Sequence, residues 1–263
     1  MGERSNIRPE TAVYEGGRMT ETAPAMGLAA PSKSLFARAV GVIFAPKDTY
    51  ADIAARPRIL GALVLIWFIV TAVSTTFSST ELGKRLALEQ TISYMEGFGM
   101  QVSDEMYNQM EIRMMNQGPI PSLVATAVIM PLAAAIMAGI VLAVFTAILG
   151  GDAKYKQVYA IVVYSGFLLA LQTLFVYPMF YLKESMASPT SLAVFLPFLD
   201  ESSFAGRLAG AVDLFRLWWI VNLSIGIGVL YKRRTQPIVW SLLAVYAVIA
   251  IVIAAAGAAL SGV

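Results

Sequence analysis

The chain has 263 residues, 58% of them hydrophobic and only 14% charged. A soluble domain carries about 25% charged residues, so the composition is that of an integral membrane protein, and a net charge of +2 offers nucleic acid nothing to bind. Cysteine and histidine are both absent, which excludes disulfides, Cys/His zinc sites, thiol nucleophiles, Ser-His chemistry and histidine-ligated haem, and no cofactor is expected.

Residues 1–31 read as a disordered cytosolic tail. Arg4, Glu10 and Glu21 alternate with Pro24, Pro31 and small residues, and no apolar core of a secretory signal is present. Met19 and Met26 are alternative starts. Residues 32–58 read as interfacial helices at the inner face. A first short helix turns Leu35, Phe36, Val40, Ile43 and Phe44 to lipid and Lys33 and Arg38 to water. Pro46 ends it, a second runs from Lys47 to Ala55, and Pro57 stops that one. The segment is either a surface anchor or a cytosolic docking epitope; Lys47, Asp48 and Asp52 are the residues whose replacement separates the two.

A membrane-crossing helix needs about 20 apolar residues. Five stretches within 59–260 qualify: 59–77, 122–149, 158–181, 214–231 and 237–260. Between the first two, residues 80–121 are too long for a plain loop. Ser103 reads as an N-cap ahead of Asp104 and Glu105, and Met106, Met110 and Met114 share one face. That outer helix is either packed on the bundle or a Met-rich docking surface. Pro131 permits a kink in the second span, whose ridge Ala127, Pro131, Ala135, Gly139, Ala143, Ala147 reads as a packing face and places this span at the centre of the bundle. Ser224, Gly228 and the stretch "AAAGAALSG" mark further packing faces. The outer element 191–199 is apolar, broken by Pro197 and too short to cross. The expected fold is therefore an all-α integral membrane protein: a five-span helical bundle with short interfacial helices before the first span and in the outer loops.

The positive-inside rule orients it. Lys33, Arg38, Lys47, Arg56, Arg58, Lys154, Lys156, Lys232, Arg233 and Arg234 collect on one side; Lys84, Arg85, Arg113, Lys183, Arg207 and Arg216 collect on the other. The N-terminus is expected inside and the C-terminus outside. Within the spans polar residues are few. Gln172 and Asn222 lie near mid-helix, as interhelical glue or ligand contacts. Asp213 and Arg216, at i and i+3, can pair at the outer boundary, fixing helix depth, gating a path or contacting a partner.

Three stretches carry a resemblance: "LFARAVGVIFAPKDTYADIAARP" from Leu35, "GGDAKYKQVYAIVVYS" from Gly150 and "VDLFRLWWIVNLSIGIG" from Val212. Together they resemble prokaryotic members of the Yip (Ypt-interacting protein) family over Leu35 to about Leu260. The resemblance places Pro46, Tyr164, Asp213, Phe215 and Trp218 among the recurrent positions. It implies a multi-span protein of a prokaryotic plasma membrane. Eukaryotic relatives associate with Rab-type GTPases, and some bacterial members look like accessory subunits that help assemble ABC-type exporters.

The expected function is a non-enzymatic scaffold or accessory protein. Its partners are the lipid bilayer, other integral membrane proteins or a second copy of itself, with ABC exporter subunits among the candidates. The alternative is a small transporter, channel or lipid-translocating protein using Asp213, Arg216, Gln172 and Asn222 as its polar path. An intramembrane enzyme is not expected: a di-aspartyl site needs a second membrane aspartate, and Lys154, Lys156 and Lys183 lie at span ends.

Overall fold

The structure, a computed structural model, describes residues 33–200 and 202–261. The expected tail, 1–31, lies outside the described residues. The described chain is all-helical; its only pairing of extended backbone is a single antiparallel bridge between Ser191 and Asp213.

Two short helices open the chain. Helix α1 (Leu35–Phe44) is capped by Ser34, whose Oγ accepts the Ala37 amide at 3.2 Å. Helix α2 (Pro46–Ala55) begins on proline, which fits a first helical position because its missing N–H has no intrahelical partner there. The two fold back on each other so closely that a Cβ at Gly41 would lie 2.4 Å from Thr49 Oγ1. Helix α3 (Leu60–Ser78) follows, then α4 (Glu81–Gly97) and α5 (Asp104–Asn116). The expected Ser103 cap on α5 forms, with Oγ accepting the Met106 amide at 3.3 Å. Helix α6 (Ile120–Leu149) carries Pro131 inside it. The next apolar run is two helices, α7 (Tyr155–Ser165) and α8 (Phe167–Lys183), meeting at Gly166. A short 3-10 turn (Leu192–Phe195), α9 (Phe204–Ala211), α10 (Leu214–Leu230) and α11 (Thr235–Ser261) complete the order.

Four of these runs are long and apolar enough to cross a membrane: α3, α6, α7 with α8, and α11. Helix α10 is equally apolar but has only 17 residues.

The centre of the bundle is not the second span. In α7–α8, 56% of the most apolar window is buried, against 17% in α6. On α6 the small-residue ridge faces outward: Ala127, Ala143 and Ala147 are exposed, and a Cβ at Gly139 would meet nothing within 4 Å. The packed face is Ala138, Val141 and Phe145. The reason is the reach of tyrosine. Tyr155 and Tyr159 stack (5.9 Å, 19°) and donate to the carbonyls of Ala135 (2.9 Å) and Pro131 (3.3 Å), while Tyr231 bonds Thr146 Oγ1 at 2.9 Å. Tyrosine hydroxyls bonded to α6 thus join it to α7 and to the end of α10. On α10 the small-residue expectation does describe the contact: Ser224, Gly226 and Gly228 are buried, and a Cβ at Gly226 would lie 2.5 Å from Ile161 Cγ2.

The entry helices also differ from a surface anchor. Phe36, Val40 and Phe44 are exposed as expected, but Val42, Thr49, Tyr50 and Ile53 have no exposed surface, because the hairpin packs against α7 and α10. Arg38, expected in water, is 1% exposed.

Candidate functional site

Three clusters of polar residues in the bundle each meet the end of a helix.

The first lies where α2 ends. A helix C-terminus leaves carbonyls without intrahelical partners, and here side chains from other elements supply the donors. Arg38 Nε donates to Asp52 Oδ2 at 2.8 Å and its Nη1 to the Arg56 carbonyl at 3.1 Å. Gln157 donates to the Ala54 carbonyl at 2.9 Å and Tyr164 to the Arg58 carbonyl at 3.0 Å. The guanidinium also sits 5.8 Å from the centroid of the Tyr164 ring. A cation suits the negative end of the helix dipole. Burial disfavours the charged arginine, but donation to Tyr164 and Asp52 outweighs it, and the Arg38 pKa is raised.

The second joins α1, α2 and α10. In a continuous helix the Val42 carbonyl would accept from the N–H of residue 46, and residue 46 is proline, which has none. Asn222 supplies the donor, Nδ2 to the Val42 oxygen at 2.7 Å, and its Oδ1 accepts from the Tyr50 hydroxyl. Tyr50 is fully buried and Asn222 is 1% exposed. Pro46 and Asn222 are thus two halves of one arrangement.

The third caps α10. Asp213 Oδ1 accepts the amides of Phe215 (2.9 Å) and Arg216 (3.2 Å) and Gln172 Nε2 (3.0 Å). Its Oδ2 accepts the hydroxyls of Ser188 (2.7 Å) and Thr190 (2.6 Å). Five donors satisfy an ionised carboxylate, and the helix dipole favours it. Backbone bonds from Leu192 to Val212 (2.8 Å) and from Leu214 to Thr190 (3.0 Å) stitch the loop between α8 and α9 to the same point.

This replaces the expected Asp213–Arg216 pair. The carboxylate is buried at 1% exposure and occupied; Arg216 gives it only a backbone amide, and its side chain is exposed. N-capping wins because Asp213 stands one residue ahead of the helix, so its carboxylate turns back onto the first-turn amides. Gln172 and Asn222 fall in separate clusters. Phe215 forms an aromatic row with Phe175 (6.0 Å) and Trp218 (6.1 Å); Trp218 is 37% exposed. Lys47 and Asp48 are exposed in the first turn of α2, outside all three clusters.

Arg38, Tyr50, Ser188 and Thr190 were not among the expected site residues, and Asp52 was expected only as part of a docking epitope with Lys47 and Asp48. One signal was readable: Arg38 and Asp52 each stand seven residues from Ala45, the register of a hairpin turning at the helix-breaking Pro46.

The Yip1 domain family matches the chain over residues 40–257. The chain belongs to this family. No curated protein and no solved structure matches it. The Yip1 match covers the hairpin from Val40 onward, the second and third clusters and all of the first except Arg38, and with its apolar helices the chain is a multi-pass membrane protein in contact with lipid.

Proposed function

We propose that this Yip1-domain protein is a non-enzymatic membrane scaffold or accessory protein that holds other membrane proteins. The observation that carries the reading is the fate of the buried polar groups. Arg38, Asn222 and Asp213 are each spent on helix ends and on one another, so they fix geometry and form no polar path. A transported ion would have to displace five donors from Asp213. The outer side instead offers contact surface: Phe195 and Phe198 are 76% and 78% exposed, on a loop tied to the Asp213 cluster.

In this reading α10 is a fifth crossing. Its 17 residues extend about 26 Å at 1.5 Å per residue, close to the ~30 Å hydrocarbon core, and α2, α7, α8 and α11 surround it. Basic residues at Lys232–Arg234 and Lys154–Lys156 support a reading with the N-terminus in the cytoplasm and the C-terminus outside, and the family resemblance supports a prokaryotic plasma membrane. An ABC-type exporter is the first partner to test, since the family resemblance brings it in.

Affinity purification of the full chain in mild detergent tests the proposal. A stoichiometric membrane-protein partner or a defined self-assembly is expected; a solitary monomer overturns it. In proteoliposomes no flux is expected, and a flux abolished by Asp213→Asn would establish the transporter instead.

A further inference from the structure

A cavity of about 200 Å³ opens between the start of α1, the entrance to α3 and α7. Its lining is Lys33, Leu35, Arg38, Arg58, Gly61 and Tyr164. Three of these six are cations and none is an acid. Asp52, bound to Arg38, offsets one charge. Lys33 is held only by a neutral group, its Nζ donating to Thr49 Oγ1 at 3.0 Å. Arg58 makes no ion pair among the described residues, and only its carbonyl is engaged, by Tyr164. Among the described residues, about two positive charges therefore face a small cavity without counter-charge, beside Arg38, which is 1% exposed and fixed in place.

An apolar track leaves the same cavity. Leu60, Val64 and Phe68 recur every fourth residue on α3, beginning beside Gly61, and are 79%, 62% and 63% exposed. They follow α3 for about 12 Å at 1.5 Å per residue. Phe36, 74% exposed, stands on α1 next to Leu35 at the cavity wall. A compact basic hollow at the mouth of an apolar helix face has the two-part chemistry of a phospholipid: a phosphate headgroup and acyl chains. Basic pockets between membrane helices take anionic headgroups in this way.

We propose that this cavity is a binding site for the phosphate headgroup of an anionic phospholipid, with Lys33 and Arg58 contacting the phosphate, Arg38 positioning the floor and the acyl chains lying along Leu60, Val64 and Phe68. The site does not depend on the scaffold reading; it requires only that the chain sits in a bilayer.

The test uses the full chain, purified, delipidated in detergent and offered phosphatidylglycerol, phosphatidylcholine or inorganic phosphate, with bound lipid counted by native mass spectrometry. Phosphatidylglycerol is expected to be retained at least tenfold over phosphatidylcholine. In Lys33→Gln/Arg58→Gln the preference falls about fivefold per cation removed, the equivalent of ~1 kcal/mol for each basic residue near a membrane surface. Lys47→Gln, exposed and outside the cavity, keeps the full preference. Gly61→Val narrows the cavity at the Leu35 wall without altering a charge and lowers the preference, which decides the matter if the double variant does not fold. An unchanged preference in Gly61→Val, or an equal loss in Lys47→Gln, overturns the site. If inorganic phosphate alone raises the melting temperature as much as the lipid does, a soluble phosphate is the ligand and the lipid assignment falls.

Discussion

Replacing Asn222 by leucine isolates the price of leaving helix ends open inside the bundle. Leucine keeps asparagine's branched outline but its methyls are bulkier, so some overpacking adds to the main effect, that two buried groups lose their partners: the Val42 carbonyl and the Tyr50 hydroxyl. Each abandoned buried group costs about 1–3 kcal/mol, a gross loss of about 2–6, and relief from burying the amide returns part of it. A net loss of about 2–4 kcal/mol follows. Ordinary interhelical hydrogen bonds in membrane proteins contribute only about 0.6 kcal/mol, because the separated helices find other partners. Val42 cannot, since its usual donor would come from Pro46. The assay is equilibrium unfolding in mixed micelles, run as a cycle with Tyr50→Phe. Tyr50→Phe alone should cost about 1–2 kcal/mol, and the double variant should cost less than the sum by about 1 kcal/mol. If Asn222→Leu lies within about 0.5 kcal/mol of the parent, the Val42 carbonyl is satisfied by other means and the role assigned to Asn222 is wrong.

Other substitutions probe the remaining contacts. Gly226→Ala places a Cβ 2.5 Å from Ile161 Cγ2 and should cost about 1–3 kcal/mol in the same micelle assay, whereas Gly139→Ala, with nothing within 4 Å, should be neutral or stabilise by up to about 1 kcal/mol through helix propensity. Arg38→Met strands Asp52 and the Arg56 carbonyl and should destabilise by about 3 kcal/mol, since breaking one side of a buried pair costs more than the pair contributes. Arg38→Lys should recover little, because an ammonium cannot reproduce the fork; full recovery in a thermal melt would contradict the geometry. Asp213→Leu should cost more than Asp213→Asn, which keeps a cap acceptor, and limited proteolysis should find the 185–200 loop opened in the leucine variant first.

The long helices were readable because lipid imposes one demand on each, about 20 apolar residues, and the limits of α3, α6, α10 and α11 fall close to the apolar runs. What the pattern could not distinguish is which side of an amphipathic helix meets protein. Leu35, Phe36, Val40 and Phe44 are apolar whether α1 lies on a surface or joins the bundle, so the burial of Arg38 on its opposite side was not visible. The α6 ridge misled for a related reason. Small residues permit close approach but do not compel it, and the packed face of α6 is Ala138, Val141 and Phe145 instead, with tyrosines from α7 and the end of α10 bonded to the helix. At Asp213 two local rules competed for one carboxylate. The i, i+3 pairing with Arg216 assumes that both residues are helical; capping requires the aspartate to stand just outside the helix, and "VDLF" at the head of an apolar run carries that start signal.

The position of the three polar clusters at helix ends has a common cause. In hydrocarbon an interrupted helix exposes backbone groups that water cannot reach, so a break is tolerated only where protein re-satisfies it. This chain breaks its helices inside the bundle at Pro46 and again at Pro57, and begins α10 against packed neighbours. At the two prolines side chains from other elements supply the missing partners, Asn222 for Val42 and Arg38 and Tyr164 for the carbonyls near Pro57; at α10 the adjacent Asp213 caps the first amides and is itself held by Gln172, Ser188 and Thr190. These polar residues therefore follow from the breaks, and the breaks form the short hairpin α1–α2, one side of which packs against α7 and α10. Tyr164, Asp213 and Pro46, which the family resemblance singles out with no geometric reason attached, each sit at one of these repairs. A residue set that repairs broken helices needs no substrate to account for it, and that favours a scaffold over a conduit.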